Sequence, residues 1–136
     1  MNFFIWLKMK REKMEIHEFD FGIYPRRLYI AIGRDFVALR KDLQMRNGEE
    51  LPLFEGECYG AATYSVIDKS DLRYGLLIYF PSRKDMKAQY IAHEATHAAL
   101  ELCRDCDITV DFDNQEPIAY IVGFVAGCAE LVKKVK

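Results

Sequence analysis

Arg73-Tyr74-Gly75-Leu76-Leu77-Ile78-Tyr79-Phe80-Pro81 leads directly into Ser82-Arg83-Lys84-Asp85-Met86-Lys87-Ala88-Gln89-Tyr90-Ile91-Ala92-His93-Glu94-Ala95-Thr96-His97. The unbroken apolar run Leu76–Phe80 has the length and composition of a buried strand, and Pro81 cannot extend its hydrogen-bond ladder. Ser82 to Asp85 has capping-box spacing, in which two side chains satisfy backbone donors that a helix start leaves unpaired. A helix is therefore expected from Lys84 to about Cys103, with Met86, Tyr90, Ile91, Ala95, Ala98 and Leu102 on its apolar side.

Working outward, Asn114 can cap a second helix, and Pro117 is tolerated in its first turn, where an N–H would be unpaired anyway. That helix should reach Lys134, with Gly123 and Gly127 suited to close helix–helix packing. Upstream, Glu15–Gly22 reads weakly as a strand and Arg27–Ile32 more clearly, with a turn at Tyr24-Pro25. Asp35–Arg46 has near-helical spacing and ends at Asn47-Gly48. Leu51–Gly60 reads as loop, Ala61–Ile67 as a strand with Tyr64 and Val66 on one face, and Asp68–Asp71 as a turn. The order β-β-α-β-β-α-α implies an α+β fold: one compact domain over residues 1–136, with residues 1–14 as a loose N-terminal extension. A small, mostly antiparallel sheet should pack on the histidine-bearing helix and on the buried helix that follows.

Composition narrows the functional classes. The 136 residues fit one domain, and 51% hydrophobic content supports a core rather than disorder. A net charge of −2 lacks the basic footprint of a nucleic-acid binder. Met1–Leu7 is too short for a signal-peptide core, and its charges follow it rather than precede it. Pro117–Ala129 is apolar but well short of the roughly 20 residues a membrane span needs. Cys58, Cys103, Cys106 and Cys128 without a secretory signal suggest reduced thiols and a cytoplasmic protein. Cys103-Arg104-Asp105-Cys106 is a lone pair and reads as ordinary helix-end cysteines. Asp105, Asp107, Asp111 and Asp113 lack the glycine and spacing of a calcium loop and read as solvated.

The chemistry lies in His93-Glu94-Ala95-Thr96-His97. Residues four apart share a helix face one turn apart, so two imidazoles can reach one zinc ion. Glu94 leans over the same edge without being a ligand, placed to take a proton from water. A catalytic zinc has three protein ligands and an open position. His17 lies far upstream and reads as a surface or strand residue. Glu116 opens the next helix, which could pack antiparallel and bring it beside the pair; Glu101 and Cys103 are the rivals.

His93-Glu94-x-x-His97, eighteen residues, and then Glu116 resembles the gluzincin zinc metallopeptidases, over Lys84 to about Leu131. The strings His93–Ala98 and Asp113–Pro117 also resemble small zincin-like proteins of phage or prophage origin. The resemblance implies a zincin-like fold with one zinc per chain, held by His93, His97 and Glu116. It also implies that strand Arg73–Phe80 is the edge pairing with an extended peptide. Where that family often has an aspartate, this chain has Tyr120, which fits either an oxyanion-stabilising role or the core.

The expected function is peptide-bond hydrolysis, with Glu94 as general base and Tyr120 as a second catalytic group. The expected partner is a peptide or protein substrate, with no nucleic acid and no membrane; a second subunit is one way to complete a shallow groove. The alternative is a catalytically inactive or structural metal-binding module that recognises a peptide or protein.

Overall fold

The computed structural model describes residues 7–11 as backbone, and residues 14–52 and 61–135. Residues 53–60, most of the expected Leu51–Gly60 loop and including Cys58, lie outside the described residues, as do residues 1–6. The order is β1 (Leu7–Arg11), β2 (Met14–Asp20), β3 (Arg27–Gly33), α1 (Phe36–Asp42), β4 (Leu43–Met45), β5 (Ala62–Asp68) and β6 (Tyr74–Phe80). A single 3-10 turn (Arg83–Asp85) follows, then α2 (Ala88–Asp105) and α3 (Glu116–Lys134). The six strands form one sheet in the order β1-β2-β3-β6-β5-β4, antiparallel except for the β3–β6 pair. The fold is α+β with a mostly antiparallel sheet.

The two parallel strands are the two continuous apolar runs, because both of their faces are covered. Leu28, Ile30, Ile32, Leu76, Ile78 and Phe80 point to a core closed by Ile91, Ala95, Ala98 and Leu102 of α2 and Ile121, Val125 and Val132 of α3. Tyr29, Ala31, Leu77 and Tyr79 point the other way, against Ala38 and Leu39 of α1 and Leu51. Tyr64 and Val66 share this second face, as alternation in β5 requires.

Several elements differ from expectation. Leu7–Arg11, within the stretch read as a loose extension, pairs with β2 as an edge strand, Leu7 opposite Glu18. The helix expected over Asp35–Arg46 stops at Asp42: Asp35 caps it by accepting from the Ala38 N–H at 3.0 Å, but Leu43 turns extended and pairs with Asp68. Sheet pairing there outweighs helical spacing. Ser82 starts only the 3-10 turn; its hydroxyl donates to Asp85 at 2.9 Å rather than capping a backbone N–H, and α2 begins at Ala88. Gly123 and Gly127 do not face α2. They are exposed, and a Cβ at either would meet nothing within 4 Å.

Position along α2 is set at both ends. At its C-terminus the Asp105 carboxylate accepts from Arg46 Nη1 at 2.6 Å and from Arg26 Nε at 3.1 Å, while both guanidinium groups lie over the Tyr74 ring. Before its N-terminus, Arg83 donates to the Val132 carbonyl near the end of α3, at 3.4 Å, so α3 returns antiparallel to α2. Burial alone would raise the Asp105 pKa, but the hydrogen bonds and charges of Arg46 and Arg26 outweigh it and hold the carboxyl below its usual range. A depressed folded-state pKa contributes stability above the unfolded value, near 3.9, that is lost as pH falls through the folded value. Asp105→Asn is therefore expected to destabilise the chain by about 2 kcal/mol at neutral pH, typical of hydrogen bonds to charged groups. In urea melts across pH, the gap from wild type should close below about pH 4; a gap independent of pH would refute the pairing.

Candidate metal centre

α2 lies over β6 and β5, while α3 contacts β3, so the two flanks of α2 face different surroundings. Ile91, Ala95, Ala98 and Leu102 point into the core. At 3.6 residues per turn, Glu94 then falls on the β5 flank, and His93 and His97 fall on the outer surface beside it. Both histidines are exposed, whereas Glu94 is only 7% exposed. Among the described residues, Glu94 and His17 are the two polar side chains that are buried.

The two imidazoles converge. His93 Nε2 and His97 Nε2 stand 3.1 Å apart, with the rings edge to face at 73°. Two nitrogens on one tetrahedral zinc at about 2.0–2.1 Å would lie roughly 3.3 Å apart, so the pair fits a shared ion. Glu94 Oε2 lies 4.0 Å from His93 Nε2, beside the pair rather than within it. Its other oxygen, Oε1, accepts a 2.6 Å hydrogen bond from the Thr63 hydroxyl on β5. Nearby on β5, burial raises the Tyr64 phenol pKa, and the negative charge of Glu94 adds to the effect.

Glu116 is not brought to this pair. Among the described residues, no third His, Cys, Asp or Glu joins a group able to hold a metal. The reason is the helix arrangement: Glu116 is the exposed first residue of α3, at the end nearest the C-terminus of α2 and on the flank away from β5. Glu101 is held at 3.6 Å by Arg104 in an ion pair, and Cys103 is buried, with its thiol pKa raised by that burial. His17 is a strand residue but not a surface one; it is fully buried, 3.5 Å from Glu15.

Tyr120 is neither in the core nor beside the pair. It is 75% exposed and lines an apolar groove of about 410 Å³ with Phe21, Ile23, Tyr24, Ile121 and Phe124. The strand before α2 is not an edge either, since β6 lies between β3 and β5. The strand bordering Glu94 is β5, and β4 pairs only with its Val66–Asp68 end. Among the described residues, no strand pairs with the outer side of Ala62–Ser65.

Sequence reasoning passed over Thr63. Placing Tyr64 and Val66 on one face puts Thr63 and Ser65 on the other, but only the strand order shows that this face meets Glu94. Comparison with known protein families, curated proteins and solved structures gave no match.

This geometry separates the proposed ligands. His97→Ala should lower zinc affinity by well over the roughly ten-fold that loss of a residue merely supporting a ligand costs, while Glu116→Gln should leave it within about two-fold. Competition against a chromophoric chelator measures both. A large loss in Glu116→Gln would place α3 differently from the arrangement described.

Proposed function

We propose that the chain is a zinc-dependent metallopeptidase that binds one zinc ion at His93 and His97, two of the three protein ligands a catalytic zinc takes, with no third brought to them among the described residues, and hydrolyses peptide bonds with Glu94 as general base. The observation that carries this reading is the convergence of the two Nε2 atoms to 3.1 Å with the Glu94 carboxylate 4.0 Å from one of them. When bound, zinc supplies Lewis-acid polarisation of a carbonyl and acidification of water. The chain supplies proton transfer and alignment. Glu94 accepts a proton from water as the oxygen adds to the scissile carbonyl carbon, then passes it to the amine that leaves. Its shielded position behind the exposed histidines favours this work, because a carboxylate held out of bulk water keeps a fixed orientation. The outer edge of Ala62–Ser65 suits a peptide added as a further strand, with main-chain hydrogen bonds fixing its register. No described helix is long and apolar enough to cross a membrane.

A second reading, a non-catalytic metal-binding module that recognises a peptide or protein, is favoured by one feature. The groove beside Tyr120 is apolar and open, with Ile23 81% exposed on its rim, and contiguous apolar surface of this kind suits a protein partner.

Glu94→Gln separates the two. It keeps size and hydrogen-bonding capacity but cannot accept the proton. The variant is expected to fold, retain about one zinc per chain and bind peptide, with kcat lowered about 10²–10⁴-fold. Assays on unfolded proteins and a peptide library, with a chelator control, measure this. Equal cleavage by both forms would refute the mechanism. A zinc-loaded wild type that binds library peptides but cleaves none would favour the module.

A further inference from the structure

We infer that Thr63 is a positioning residue that fixes the rotamer of Glu94 and divides its two oxygens between separate tasks; the kinetic half of this inference rests on the peptidase reading above. Thr63 Oγ1 lies 2.6 Å from Glu94 Oε1 and 3.3 Å from the Glu94 main-chain carbonyl. A hydroxyl has one proton to give, and the shorter contact, to a charged acceptor, takes it. Oε1 is thereby engaged toward the sheet. Oε2 is left on the side of the histidines, 4.0 Å from His93 Nε2.

The arrangement is rigid because the donor sits on a strand. Thr63 lies opposite Ile78 in the β5–β6 ladder, and Ile78 is itself buried in the core under α2. Threonine is stiff about χ1, since both branches sit on Cβ. Glu94, by contrast, has three side-chain torsions and sits on an otherwise apolar side of α2 next to Ala95 and Ala98. Without the hydroxyl, no other described group donates to Oε1, and the carboxylate could swing toward solvent beside His93. A side chain that must meet a water within hydrogen-bond reach loses much of its effect when displaced by about 1 Å.

The test uses Thr63→Val, which keeps the branched shape and removes the donor, and Thr63→Ser, which restores the donor. In the zinc-loaded chain, Thr63→Val is expected to lower kcat about ten-fold or more, with KM and zinc affinity within about two-fold of wild type; Thr63→Ser should recover most of the loss. An unchanged kcat in Thr63→Val, a loss that Thr63→Ser does not recover, or a parallel loss of zinc affinity would overturn the positioning role. A readout without activity uses metal-free chain labelled with 13C at glutamate carboxyls. The resonance absent from Glu94→Gln identifies Glu94; it should move in Thr63→Val and return in Thr63→Ser. An unmoved resonance overturns the inference whatever the protein catalyses. If the resonance moves as expected but zinc-loaded wild type cleaves nothing, the hold on Glu94 stands, and both the peptidase reading and the kinetic role of Thr63 fall.

Discussion

The parallel pairing of β3 with β6 is the constraint from which the rest of the molecule follows. Arg27–Ile32 lie alongside Gly75–Phe80 in register at the centre of the sheet. Parallel neighbours cannot be joined by a tight turn, so the chain between them must cross over, and it does so through α1, β4 and β5. Two adjacent strands that are apolar on both faces also require a cover on each side. α1 covers one face; α2 and α3 cover the other. Gly75 marks how tight the centre is, since a Cβ there would approach the Tyr29 ring to 2.6 Å and the Arg27 carbonyl to 2.9 Å.

The placement of the candidate metal centre is a consequence of this layering. Because α2 lies over β6 and β5, its apolar stripe is used up against the sheet, and the residues beside that stripe fall at the margin above β5. Glu94 is drawn inside by Thr63, while the two histidines remain in solvent within reach of one another. One helix thus presents a water-accessible nitrogen pair next to a carboxylate sheltered by the sheet. The Asp105–Arg46–Arg26 cluster at the far end holds the helix at the axial position that keeps Glu94 opposite Thr63.

Much of this was legible from residue order. The runs Arg27–Ile32 and Leu76–Phe80 read as strands, and the i, i+4 histidines announced their own convergence, because helical spacing is a local property. What was not legible depends on neighbours distant in sequence. Leu43 has helical spacing but is claimed by Asp68 across the sheet. The edge role that the family resemblance implied for Arg73–Phe80 fails because β5 pairs with the outer side of that strand. Glu116 stands at a suggestive separation from His97, yet separation along the chain does not say on which flank of α2 the next helix will lie. Gly123 and Gly127 suggest a tight helix contact, but nothing in their spacing says whether that face meets α2 or solvent.

On the proposed reading, His93 and His97 share one ion, with Glu94 close by but not bound to it. X-ray absorption at the zinc edge of the zinc-loaded chain is the decisive measurement. Two imidazole nitrogens are expected at about 2.0–2.1 Å from zinc, with the same inner-shell spectrum in a Glu94→Gln variant. A zinc environment without imidazole scattering, or a spectrum unchanged in a His93→Ala/His97→Ala variant, would contradict it.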